Sequence, residues 1–158
     1  MRLGITGHRG LSARVEQMVR DALDKELQQY EATELCGVSC IADGPDAWFA
    51  EAVLDGGGLI EVVVPAEQYR DGLPESHRAT YDRLLARAGE VHHTGMREST
   101  SQAHMAGSEI LVGLVDRLVA VWDGQPARGY GGTADVVTYA RRTGVPVDVV
   151  WPEGATRD

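Results

Sequence analysis

The chain has 158 residues, 43% of them hydrophobic, enough for one domain around one packed core. Its formal net charge is −9, Lys25 is its only lysine and its arginines are dispersed. Binding through phosphates needs a dense basic surface, so no nucleic-acid partner is expected. No run approaches the roughly 18 apolar residues of a membrane helix, and His8 and Arg9 interrupt the only early apolar stretch, which argues against a secretory leader. A cytoplasmic location and no membrane partner are expected.

Strand and helix signals alternate from end to end. The run RLGIT, closing at Gly7, reads as a first strand. Ser12 is placed to cap the next helix, in which Val15, Met18, Val19, Ala22 and Leu23 recur at helical spacing. ELCGVSCIA reads as a second strand. Within it the Cα atoms of Cys36 and Cys40 would lie roughly 13 Å apart, too far for a disulfide. Two cysteines at this spacing make no zinc site alone. Asp46 is expected to cap a helix that Gly56-Gly57-Gly58 ends.

LIEVVVP is a third strand. Residues 66–75, polar and containing Gly72 and Pro74, read as a loop, and Ser76 onward as a helix. EVHH is a short fourth strand, whose adjacent His92 and His93 point to opposite faces and so do not chelate one metal. A helix over Ser99–Val112, a fifth strand RLVAVW, a helix over Ala134–Arg142 stopped by Gly144, a sixth strand PVDVVW and a short tail complete the chain.

Strands that alternate with helices imply crossover units, and strands that read as continuous apolar runs are covered on both faces. The expected fold class is therefore α/β: a Rossmann-like, doubly wound, mainly parallel sheet with helices on both faces, in a single domain over residues 1–158. Ligands of such sheets bind outside the carboxyl ends of the strands, near the point where strand order reverses. That rule selects Gly7, His8 and Arg9 after the first strand, Asp43, Gly44 and Asp46 after the second, the loop from Pro65 to Tyr69 after the third, and His93 and Thr94 after the fourth. After the fifth strand it selects Trp122, Arg128, Gly129, Gly131, Gly132 and Thr133.

Each of these residue types suits a phosphate or a nucleoside. Backbone N–H groups of GYGGT can converge on one anion, and Thr133 is placed to cap the following helix and donate its hydroxyl. Arg9 and Arg128 supply charge for a phosphate. Asp43 is an acceptor for a ribose hydroxyl, and Trp122 offers a surface for a base. Asp135, and beside it Asp43 or Asp46, are the candidate acids for chemistry. There is neither a full G-x-G-x-x-G nor a P-loop lysine motif.

GITGHRG, ADGPDAWFAEAVLDGGGLIEVVVP and DRLVAVWDGQPARGYGGTADVVTYARRTGVPVDVVWP together resemble the SLOG superfamily, Rossmann-like nucleotide-binding domains that include LOG-type phosphoribohydrolases and DprA-like domains. The resemblance spans nearly the whole chain in element order. It implies a nucleotide or nucleotide-derived ligand, a purine monophosphate or an ADP-ribose-like molecule; no tightly bound cofactor and no metal-ligating residues are expected. It also implies a homodimer or higher homo-oligomer. The hydrolases of this superfamily carry P-G-G-x-G-T-x-x-E. Aligning Thr133 with that threonine puts Val136 at the glutamate and Asp135 one residue early, a rotation of about 100° on a helix. Where the hydrolases have an Arg-Lys pair, Gly107 and Ser108 stand here. The expected function is thus a nucleotide-binding or sensor module. The alternative is a nucleotide N-glycosidase that releases free base.

Overall fold

The computed structural model describes all residues, 1–158. Six strands form one parallel sheet: β1 (Arg2–Gly7), β2 (Cys36–Ser39), β3 (Leu59–Val64), β4 (Glu90–His93), β5 (Arg117–Val121) and β6 (Val147–Val150). Their spatial order is β4-β3-β2-β1-β5-β6. The helices are α1 (Ala13–Leu27), α2 (Pro45–Asp55), the single turn α3 (Tyr69–Gly72), α4 (Arg78–Arg87), α5 (Ser101–Leu114) and α6 (Thr133–Arg142). Helices α1, α2 and α4 pack in one row and α5 and α6 in another, so the sheet is doubly wound as the sequence predicts.

The sheet is apolar on both faces because both rows cover it. Leu3, Ile5, Val38, Val62, Val119 and Leu118 are buried from the central strands. Helix α1 turns the stripe Val15, Val19, Leu23 and Leu27 inward, and the Ser12 side chain accepts the Val15 N–H at its start, as expected from sequence. Strand order reverses between β1 and β5, which pair from Leu3↔Arg117 to Gly7↔Val121. A crevice therefore opens where their carboxyl ends lead into helices on opposite faces.

Four local expectations are corrected. Strand β2 stops at Ser39 instead of running on through Cys40 and Ile41, because the Ser39 hydroxyl accepts the Ile41 N–H and donates to the Asp46 carbonyl, both at 2.9 Å. That turn holds Ile41 at φ +46°, a left-handed conformation that a β-branched residue rarely adopts. Asp46 does not cap α2. Gly44 does, its carbonyl accepting from Ala47 and Trp48, so Asp46 falls in the first turn. Thr133 is likewise the first residue of α6 and Gly132 its cap. Residues 66–75, expected as a loop, contain α3 because Tyr69 and Leu73 are buried anchors.

At the other end of the strands, Glu61 joins three elements. Arg2 forks onto its carboxylate at 2.6 and 2.9 Å, and His92 Nε2 approaches it at 2.8 Å. The Arg2 hydrogen bond, with that of His92, outweighs burial and holds the Glu61 carboxyl down at about 2. His93, its neighbour in the strand, is exposed. Cys36 and Cys40 are both free thiols.

Candidate functional site

A cleft of about 290 Å³ lies over the carboxyl ends of β1, β2, β3 and β5. Its walls come from the loops the sequence selected, from α5, and from the segment after β6. Of the thirteen residues singled out by sequence after the first, second and fifth strands, seven line it: Gly7, His8, Arg9, Asp46, Gly131, Gly132 and Thr133.

Gly7 ends β1 where the two halves of the fold meet. A Cβ there would stand 2.8 Å from Pro45 Cβ and 3.0 Å from Val121 Cβ, so only glycine lets the turn close on α2 and β5. His8 follows it and is 3% exposed. The Asp123 backbone N–H and one Asp123 carboxylate oxygen both lie 3.1 Å from His8 Nε2, and Trp151 meets the ring edge-on. The His8 Nδ1 is buried without a partner. Burial, and then the charge of Arg157, lower the His8 pKa, which keeps the ring neutral at pH 7. A ring that accepts the Asp123 N–H at Nε2 carries its proton on Nδ1, and one that donates from Nε2 to the Asp123 carboxylate leaves Nδ1 an acceptor.

Asp46 is the acid of this cleft. Burial pushes its carboxyl up to about 7, against the Ala42 backbone hydrogen bond and the nearby Arg9 charge, which both lower it. The group therefore titrates near neutrality, a range suited to proton transfer or to switching a hydrogen bond. Arg9 itself is held by Asp43, whose carboxylate accepts from its Nε at 2.9 Å.

On the opposite wall the turn before α6 presents Gly131, Gly132 and Thr133. Gly131 has φ +85°, and a Cβ there would meet the Ser101 carbonyl at 3.0 Å, so this turn is open to glycine alone. The Asp135 carboxylate accepts the Gly131 N–H at 2.9 Å. Asp135 thus points back into its own turn and does not line the cleft, whereas Val136, its neighbour, does. The one-residue displacement noted in the sequence has a direct physical meaning: it takes the carboxylate off the cleft face and leaves an isopropyl group there.

The other selected residues lie outside the cleft. Asp43 is tied to Arg9, and Gly44 serves as the cap of α2. Trp122 donates its ring N–H to the Gln125 carbonyl and stacks under Arg141, away from the cleft. Gly129 opens the turn, its carbonyl accepting the Gly132 N–H at 3.2 Å, but does not line the cleft. Arg128 is exposed and forks onto the Asp158 carboxylate at 2.6 and 3.0 Å, so it is not a cleft cation.

The sequence places Pro65 and Tyr69 at the cleft only as ends of the loop after the third strand, and it does not single out Cys40, His104, Ser108 or Arg157; all of these line the cleft. His104 meets Tyr69 edge-on and Ser99 Oγ at 2.8 Å, and burial lowers its pKa. Ser108 was noted only as the residue standing where related hydrolases carry a basic pair. Glycine contacts and helix spacing in α5 gave the available signal: Gly107 packs against Pro65, which turns the His104–Ser108–Leu111 stripe toward the strand ends.

Neither the family models nor the curated proteins compared with the sequence give a match. Solved structures do. DNA processing protein A from Helicobacter pylori, described in a single-stranded DNA binding mode, superposes with a TM-score of 0.71 at 14% identity, over 99% of this chain and 68% of that one. DNA processing protein A from Streptococcus pneumoniae gives 0.66 at 18% identity, over 94% of this chain. This chain spans about half (49%) of that protein's length. The Moco carrier protein of Chlamydomonas rheinhardtii gives 0.54 at 14% identity, over 94% and 74%. The chain thus shares its Rossmann-like α/β fold with these proteins, the fold class that the sequence motifs indicated. The same matches correct one expectation: the acidic charge balance does not exclude nucleic acid, because the Helicobacter protein that shares this fold is described in a single-stranded DNA binding mode. Net charge summed over a chain says little about the potential inside one cleft.

Proposed function

We propose that this SLOG-type domain binds a nucleotide-derived ligand in the cleft over the β1 and β5 ends, with the phosphate on the Gly131–Thr133 turn and the nucleoside toward Asp46 and Tyr69. The cleft volume, at the lower end of the roughly 300–1,000 Å³ range of small-molecule sites, suits a mononucleotide better than a longer ADP-ribose-like molecule. The observation that carries binding over hydrolysis is the pairing of Asp135 with Gly131 while Val136 faces the cleft. The acid is used to shape the anion turn.

Titration calorimetry with purine and pyrimidine monophosphates tests this reading, with a single-stranded oligonucleotide as a parallel arm. A mononucleotide that binds at micromolar to low-millimolar concentration supports it. Binding of the oligonucleotide alone would replace it.

One observation favours the N-glycosidase alternative. Asp46, with its carboxyl raised to about 7, is a cleft acid able to protonate a leaving base. Chromatography of nucleoside monophosphates incubated with the protein detects free base. Turnover that disappears in Asp46→Asn and persists in Asp135→Asn would make the domain an enzyme whose acid is Asp46.

A further inference from the structure

The sequence assigned the phosphate-holding cation after β5 to Arg128. The structure occupies Arg128 with Asp158 and brings a different arginine to the cleft. Chain beyond β6 turns at Pro152, whose carbonyl accepts the Ala155 N–H, and Arg14 holds the Gly154 carbonyl at 3.3 Å. Trp151 packs edge-on against His8. The Arg128–Asp158 pair fixes the far end. Held at these points, the segment delivers Arg157 to the cleft wall beside His8 and the Gly131–Thr133 turn.

Arg157 is the only partly buried cationic side chain of the protein with neither a carboxylate nor a hydrogen-bond acceptor. The other unpaired cations, Lys25, Arg87, Arg97, Arg141 and Arg142, are exposed to water. The Asp123 and Asp158 carboxylates feel the Arg157 charge but neither bonds it, so its guanidinium donors are left open to a further anion. The second observation is independent: His8, 3% exposed and lining the same cleft, has a buried Nδ1 with no partner. With its proton on Nδ1, His8 presents a donor, and Arg157 a cation, to the same class of ligand group.

We propose that Arg157 is an anion ligand of this cleft, completing with His8 and the Gly131–Thr133 turn a subsite for a phosphate monoester. The inference rests on the nucleotide-binding reading for the ligand's identity, but its anion chemistry stands apart from it. Asp158, the adjacent residue, keeps Arg128 away and thereby leaves Arg157 free.

The test uses the full chain, with AMP, adenosine and pyrophosphate as probes and calorimetry and thermal shift as readouts. Arg157→Gln is expected to weaken AMP about tenfold or more, the effect of losing a charge-assisted hydrogen bond, and to leave adenosine within about twofold. Arg157→Lys should recover part of the loss. Arg141→Gln, an exposed cation on α6 outside the cleft, serves as the control and should bind as wild type. If no nucleotide binds but pyrophosphate stabilises wild type and not Arg157→Gln, the nucleotide reading falls and the anion subsite stands. If Arg157→Gln binds AMP as wild type does, or if neither AMP nor pyrophosphate acts on wild type, the proposal is overturned.

Discussion

The Asp135 carboxylate accepts the backbone N–H of Gly131 across one turn of chain, at 2.9 Å. Asp135 also sits in the first turn of α6, where a negative charge is favoured by the helix dipole. Both effects are structural. Asp135→Ala is expected to destabilise the protein by about 1 kcal/mol, a fall in Tm of roughly 2–4 °C for a domain of this size. Asp135→Asn keeps a carbonyl acceptor and should lose less. Thermal melts of the two variants check this. Turnover abolished by Asp135→Asn with Tm unchanged would return this residue to a chemical role.

Gly131 is the partner in that relationship, and its left-handed φ limits what can replace it. Gly131→Ala would cost about 1–2 kcal/mol for the conformation alone, with the Ser101 carbonyl 3.0 Å from the added carbon. The turn would relax, so the loss of AMP affinity should exceed that seen in Asp135→Ala. Denaturant unfolding and calorimetry on the same samples separate the two effects.

Asp46 makes stability depend on pH in an unusual direction. Its folded carboxyl lies near 7 and its unfolded one near 3.8, so the folded state holds the extra proton between those values. Stability from this group is therefore greatest at low pH, declines as pH rises from about 4 to about 7, and is flat above that. Asp46→Asn removes the decline. Its Tm relative to wild type should be higher at pH 8 than at pH 5, and a constant difference between the two pH values would contradict the assignment.

Glu61 has the opposite sign. Its carboxyl is held at about 2 in the folded protein against an ordinary value of 4.5, so the stability it adds is present above about 4.5 and is lost as pH falls toward 2. Glu61→Gln should cost about 1.5 kcal/mol at pH 7, the low end for hydrogen bonds to a charged group, because Arg2 is 37% exposed. Acid titration of wild type should show an unfolding step in that window that the variant lacks.

The reading from sequence was strongest where the physics is local and periodic. Six strands, the doubly wound sheet and the caps at Ser12 and Gly56 follow from apolar runs, helical spacing and N-cap chemistry. The strand-end rule also found the loop residues Gly7, His8, Arg9 and Gly131–Thr133. It failed where a site residue comes from a helix or a tail packed over the strand ends. His104 and Ser108 reach the cleft from α5, and Arg157 from a segment whose path depends on Trp151, Arg14 and Asp158. Arg128 was misassigned because proximity in sequence to the glycine turn says nothing about a carboxylate thirty residues away.

Ile41 adds one consequence. Its left-handed backbone, a conformation costing about 1–3 kcal/mol, is fixed from one side by Ser39 and from the other by His77, whose Nε2–H donates to the Ile41 carbonyl at 2.9 Å. His77 is buried and does not line the cleft. It works as a peg driven in from behind the wall that carries Cys40, Ala42 and Asp46. A mutational survey that scored ligand binding alone would therefore rank His77 beside the contact residues, although no ligand reaches it.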